Sequence, residues 1–263
     1  MNWIRRHLLT FAAMAVLAIL LVPNIVVALF SFNKPNGRYN YEWVKFSTDA
    51  WLNPCGTPGI CDSLGLSLRV GIAASLIATV LGTMVAFALG RHRFRGRAAT
   101  NMLIFMPMAT PEVVMGSSLL TLFVAMGLPS GATTILIAHI MFCLSFVVVA
   151  VKARVSSLDP KLEEAAADLG AGPTATFLRV TLPLAAPGIA AGALLAFSLS
   201  FDDYIITNFN ASPSSITFPM YVWGAAQRGT PVQINVIGTI MFILSVGIVL
   251  TAQAISARRQ KAA

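Results

Sequence analysis

Three carboxylates stand in runs that are otherwise apolar: Glu112 in "PEVVMG", and Asp202 with Asp203 in "SFDDYIITNF". A charge in such surroundings is costly unless it meets a partner, a water-filled path or a ligand. Acids rather than arginines suit a cationic cargo. Cation–π contact with Tyr204, Tyr221 or Trp223 would suit such a cargo. Contacts of this kind must stay weak, because a pathway also has to release what it binds. A plainer reading stands beside this one. Glu112 then bridges to a neighbouring helix, and one aspartate caps a helix or faces solvent.

Other chemistry is sparse. The run "NPCGTPGIC" puts Cys55 and Cys61 six positions apart, with Gly and Pro between them, which suits a small disulfide-closed loop on an oxidising face. Cys143 lies inside an apolar run and reads as a buried small hydrophobe. No residue set is expected to act catalytically or to hold a metal ion.

The stretch "LEEAAADLGAGPTATFLRVTLPLAAPG", residues 162–188, is the only long one that is not mainly oily. Asp159 can accept amide hydrogen bonds as an N-cap, and Pro160 fits the first helical position. Glu163 and Glu164 fall in the early turns, where the helix dipole favours negative charge. Leu162, Ala165, Ala166 and Leu169 recur every three or four residues and make one small apolar face. Gly170 is placed to end the helix in a left-handed conformation. A second short helix, "PTATFLRVT", is expected to run until the prolines at 183 and 187. An amphipathic helix resting on a bilayer would carry bulky apolar groups opposite Lys and Arg. Alanines and acids fit a groove on a protein better, so the segment reads as a docking knob.

The elements that must position these residues are membrane helices. Of 263 residues, 57% are hydrophobic and 11% charged, and the mean hydropathy of +0.78 lies outside the range of ordinary soluble domains. Six stretches are long enough to cross a bilayer core, near 8–32, 65–90, 99–126, 132–153, 184–206 and 232–256. Pro23, Pro107 and Pro111 are tolerable inside a bundle, where neighbours satisfy the freed carbonyls. The first run is too long for a signal peptide and lacks a clean cleavage site, so it reads as a retained helix. Residues 33–64 form an outer loop able to lie along the membrane surface, "GLPSG" at 127–131 a tight turn, and 210–231 an interfacial or partly re-entrant stretch.

The net charge of +8 needs no nucleic acid to explain it. Thirteen basic residues (Arg5, Arg6, Arg91, Arg93, Arg95, Arg97, Lys152, Arg154, Lys161, Arg179, Arg258, Arg259, Lys261) fall on the side shared by the two termini. Lys34, Arg38, Lys45, Arg69 and Arg228 remain for the other. The positive-inside rule then places both termini and the 154–183 segment in the cytoplasm. The link "RHRFRGR" reads as a topology anchor beside anionic headgroups, with contact to a partner as a second role.

Glu164-Ala165-Ala166, Gly170 three residues on, then Val180-x-Leu182-Pro183 after nine more resembles the EAA motif, E-A-A-x3-G-x9-I-x-L-P, of bacterial ABC-importer permeases. Only the Ile is exchanged, for Val180. The runs "RFRG" at 93–96, "PEVVMG" at 111–116, "HIMFCLSFVVV" at 139–149 and "SFDDYIITNF" at 200–209 extend the likeness over nearly the whole chain, toward the polyamine-importing members of that family.

The resemblance implies one all-α permease domain over 1–263, with the six-helix type I importer fold called MetI-like and a coupling segment at 156–183. It implies a multi-pass protein of the bacterial inner membrane, without catalysis or cofactor of its own. A second, paralogous permease, two ATPase subunits that bind ATP and Mg2+, and an extracytoplasmic substrate-binding protein are the implied partners, along with membrane lipids. Glu164, Ala165, Ala166 and Gly170, with Glu163 beside them, would carry the contact with the ATPase. The absence of any G-x-x-x-x-G-K-[ST] phosphate loop agrees. Spermidine or putrescine is the expected cargo. An opine, an amino-acid-like compound, thiamine or ferric ion is the alternative within the class, and an ATP-independent channel or membrane scaffold the alternative outside it. A secondary transporter would need inverted repeats and ion-coupling residues, neither of which is evident.

Overall fold

The computed structural model describes the backbone of residues 2–262 and the side-chain environment of 7–251. Arg5, Arg6, Arg258, Arg259 and Lys261 therefore lie outside the described side chains. The described chain is helical, and five helices are long and apolar enough to cross a membrane: His7–Phe30, Ile60–Arg91, Ala132–Ser156, Pro173–Asp202 and Val232–Thr251. A bent pair, Arg97–Ala109 with Glu112–Ala125, makes a sixth if it is one span.

That pair corrects the expectation of a single run over 99–126. Helix α4 (Arg97–Ala109) and helix α5 (Glu112–Ala125) meet at 108°. The cause is local. Pro111 has no N–H to continue the helix, and its ring drives Thr110 to φ −83°, ψ 131°, which is extended.

The chain divides into two compact units. The first joins the residues up to Cys61 with those from Val222 on. In it α1 (Asn2–Phe30) packs along α12 (Val232–Ala262), and the short α2 (Asp49–Leu52) seats Ala50 against Val232 and Val236. The chain between α1 and α2 is organised by side-chain amides. Asn33 Nδ2 donates to Asn40 Oδ1 and to Glu42 O, both at 2.7 Å, while its Oδ1 accepts from Val44 N–H at 2.9 Å. Phe32 stacks between Phe46 and Trp51. An exposed Lys34–Asp49 ion pair at 2.9 Å adds little to stability.

Cys55 and Cys61 are joined, with Cα atoms 5.4 Å apart. Helix α3 (Ile60–Arg91) starts four residues earlier than the loop's expected end at 64, so Cys61 lies in its first turn and the bridge ties loop to helix. Because the closed loop is short, Cys55→Ser is expected to cost at most about 2–3 kcal/mol, felt locally. Peptide mapping of protein alkylated before reduction should find the two thiols blocked. Two freely alkylated thiols would reject the bridge.

The second unit, from Asp62 to Tyr221, is built on α6 (Ala132–Ser156). This helix is apolar on all sides, as a helix surrounded by others must be. Val147 and Val151 of α6 meet Gly192 of α9 (Leu182–Asp202), and Ala138, Phe142, Ala185 and Ala196 complete the same core with Ala78, Ala86 and Leu89 of α3. Small residues let the backbones approach where no hydrophobic driving force separates helix from lipid. Arg154 Nε donates to Leu184 O at 3.0 Å and fixes the start of α9 to the end of α6.

The second short helix does not stop at the prolines, contrary to expectation. Pro173–Thr176 (α8) runs through a π-helical turn, Phe177–Thr181, directly into α9. In that wider turn Leu182 N–H bonds to Phe177 O. Pro183 follows directly on this wider turn, as the second residue of α9. The fifth span is displaced accordingly, ending at Asp202 rather than 206.

Candidate functional site

Helix α7 (Lys161–Asp168) carries the Glu163–Ala166 run. Asp159 Oδ1 accepts from Lys161 N–H at 3.0 Å, the expected cap. At the other end Gly170 has φ +81°. Its N–H bonds to Ala167 O at 2.9 Å and Ala171 N–H to Ala166 O at 3.0 Å, the paired bonds of a Schellman motif. Glu164, Ala165 and Leu162 are exposed, and Leu169 is 89% exposed, so the apolar face presents itself outward.

Glu163 behaves differently from its neighbour. Its Oε1 lies 3.4 Å from Arg91 Nη2 at the end of α3, and accepts from Thr181 Oγ1 at 3.1 Å. Arg91, read from sequence as a topology anchor, thus also holds α7. A cleft of about 470 Å³ opens beside this joint, between Phe87 of α3, His92 just after its end, and Ala167, Pro173 and Phe177.

The three acids separate in the structure. Glu112 is exposed in the first turn of α5, immediately after the 108° break. Asp202 is exposed and is the last residue of α9. Asp203, one residue on, is buried, its side chain only 3% accessible. Its Oδ1 accepts from Ile206 N–H at 3.3 Å and its Oδ2 from Thr207 N–H at 2.7 Å and Thr207 Oγ1 at 2.8 Å, which caps the short α10 (Ile205–Asn210). Tyr204 and Tyr221 are half-buried in this unit, whereas Trp223 belongs to the other and is 56% exposed.

Sequence reasoning missed His139. It is 1% exposed on α6, with Nδ1 2.7 Å from Ser200 Oγ, and with Nε2 2.9 Å from Thr207 Oγ1 and 3.3 Å from Asp203 Oδ2. The donors can be assigned by counting protons. Thr207 has one hydroxyl proton, directed to Asp203, so its oxygen accepts from His139 Nε2–H. Ser200 then donates to Nδ1. One closed network joins α6, the end of α9 and α10. The signal was available: a lone His in a 25-residue apolar helix demands a partner.

Helix α10 also touches α5. Gly116, one turn beyond Glu112, meets Ile206 and Phe209 so closely that a Cβ there would lie 2.8 Å from Phe209 Cδ2. Asn210 O accepts from Gly131 N–H at 3.1 Å and from Thr134 Oγ1 at 2.9 Å. The exposed acids of α5 and α9 are therefore carried by helices that share α10 as a rigid neighbour. Among the described residues no group of His, Cys, Asp or Glu is placed to hold a metal ion.

This arrangement has known counterparts. Residues 62–262 match the family described as "Binding-protein-dependent transport system inner membrane component". Over 94% of its length the chain is 34% identical to the spermidine/putrescine transport system permease protein PotC of Escherichia coli, covering 93% of that protein. It is 38% identical to the putrescine transport system permease protein PotI of the same species, over 88% of this chain and 83% of that one. Among solved structures, a bacterial ABC transporter that imports the acidic polysaccharide alginate aligns with a TM-score of 0.67 at 18% identity, over 95% of this chain and 94% of that chain.

Proposed function

The chain belongs to the family of binding-protein-dependent transport-system inner-membrane components, and from that premise we propose that the cargo it moves is a polyamine. It is the permease subunit of an ABC importer, passing substrate from a binding protein toward the cytoplasm, and ATP hydrolysis belongs to partner subunits. The observation that carries the cargo assignment is kinship over nearly the whole length to two permeases whose names specify spermidine or putrescine. Two exposed carboxylates, Glu112 and Asp202, suit ammonium groups, and Tyr204 and Tyr221 suit the methylenes between them. Trp223 is a further aromatic candidate. Asp203 serves the route indirectly, by fixing α10.

In this reading the ATPase grips the exposed face of α7, with Glu164, Ala165 and Ala166 in its groove, and both termini share that side. A second, paralogous permease completes the pathway, two ATPases drive it, and the binding protein delivers at the opposite face. Movement of α7 reaches α3 through Glu163–Arg91 and α9 through Glu163–Thr181 and the π-turn. Helix α9 has 21 residues, about 30 Å at 1.5 Å each, so it crosses the bilayer core as a single strut. Its far end bears Asp202. One rigid element thus links the docking knob to a cargo-facing acid.

The test is ATP hydrolysis by the purified complex with binding protein present and a panel of ligands. Spermidine or putrescine should stimulate hydrolysis, and opines, thiamine, ferric ion or amino-acid-like compounds should not. Stimulation by one of the latter alone would replace the cargo. A chain that associates with no ATPase would favour a channel or scaffold.

A further inference from the structure

A second cleft, of about 230 Å³, lies between α4 and α6 and shares no lining residue with the cleft beside Glu163. Its two ends differ. Ile104, Phe105, Val148 and Val149 line one, and Asn101, Lys152 and Ser156 the other. The polar end lies toward the terminus of α6 that leads into the docking segment.

Lys152 is a half-buried cation in a membrane-spanning helix, and such charges require a partner. Among the described residues it makes no ion pair. Its one bond is donated by Nζ to Asn101 Oδ1 at 2.7 Å, a neutral acceptor. The ammonium keeps two further protons, and the Asn101 amide its N–H groups, as donors. The Ser156 hydroxyl adds another. Arg93 and Arg95, exposed and unpaired, flank the exposed Phe94 just before α4. The lining of the polar end itself carries the Lys152 cation and hydrogen-bond donors, and no acid.

We propose that this groove binds one anionic phospholipid, its phosphate held by Lys152, Asn101 and Ser156 and an acyl chain laid against Phe105 and Val149. A flexible chain suits a cleft this small, and a phosphate matches a lining with a cation and several donors but no acid. Basic pockets between helices at the cytoplasmic edge of a bilayer select anionic headgroups on the same grounds. The inference goes beyond the cargo assignment and does not depend on it.

The test uses the assembled importer in nanodiscs of phosphatidylcholine alone or mixed equally with phosphatidylglycerol. Native mass spectrometry of the released wild-type complex should show phosphatidylglycerol retained in preference to phosphatidylcholine. Lys152→Gln should retain about fivefold less, and Lys152→Arg should retain as much as wild type. Val149→Trp, which fills the apolar end and keeps the charge, should also lower retention. Equal retention by wild type and Lys152→Gln, or no preference in the wild type, overturns the proposal. So does a Phe105→Cys variant that cross-links efficiently to the second permease while the complex retains no lipid, since the groove then belongs to a protein. If Lys152→Gln fails to assemble, the wild-type preference and Val149→Trp decide.

Discussion

Gly170→Val is expected to leave the importer assembled in the membrane and nearly abolish uptake. The residue sits at φ +81°, and a Cβ placed on it would meet nothing within 4 Å. The penalty is therefore conformational rather than steric. A β-branched residue loses about 1–2 kcal/mol in the left-handed region, enough to change the population of the formed helix end by about five- to thirtyfold. The two Schellman bonds, from Gly170 and Ala171, go with it, and Leu169 and the docking face swing out of register. Because α7 is exposed and makes no part of the buried core, membrane level should hold. Gly172→Val is the matched control. Gly172 is also open to solvent, but its φ of −69° accepts any side chain. Gly170→Asn should keep part of the activity, since Asn visits the left-handed region. Glu164→Ala should weaken uptake as well, by loss of charge on the docking face. Measured together, immunodetected membrane level, uptake and binding-protein-stimulated ATP hydrolysis separate the outcomes. Normal uptake in Gly170→Val would remove Gly170 from the coupling contact.

Much of this knob was legible in the residues. Asp159 and Gly170 act through bonds to their own near neighbours, so side-chain type and spacing suffice to place them. The long spans were legible for a similar reason: hydropathy is a sum over about twenty residues and tolerates local exceptions. What sequence left open depends on longer-range geometry. Pro107 and Pro111 read as tolerable within one third span, whereas the 108° angle comes from the extended conformation of Thr110. Pro183 looked like a stop and is accommodated, because a π-turn shifts the register just before it. Glu163 and Glu164 are alike in type and adjacent, yet only one faces Arg91 and Thr181. Asp202 and Asp203 present the same problem. Adjacent residues at a helix end point about 100° apart, and which of them turns inward was decided by His139, more than sixty positions away and itself unremarked.

Those two aspartates give the sharpest contrast expected among variants. Asp203→Asn should lower the yield of purified complex, and Asp202→Asn with Glu112→Gln should lower uptake at unchanged yield. At position 203 the carboxylate faces donors alone: two backbone N–H groups, the Thr207 hydroxyl and His139 Nε2. An amide has one acceptor oxygen, so its NH2 group must confront one of these donors. Asn still caps a helix, which preserves part of the α10 contact. One of these buried donors is then left unsatisfied, which costs about 1–3 kcal/mol, a large share of a membrane bundle's margin. Uptake should fall with the protein, and in proportion to it. At position 202 the same substitution changes an exposed group, where the effect on folding is within about 0.5 kcal/mol. Any loss of polyamine uptake there, or with Glu112→Gln, acts on the passing cation. Uptake normalised to complex yield is therefore the deciding quantity. It should be near wild type for Asp203→Asn and well below it for the Asp202→Asn, Glu112→Gln pair. Full normalised uptake in that pair would end the cation-path reading while leaving the docking segment's role untouched. Wild-type yield in Asp203→Asn would instead show that the His139 network is dispensable, and would return Asp203 to the set of acids the cargo can meet.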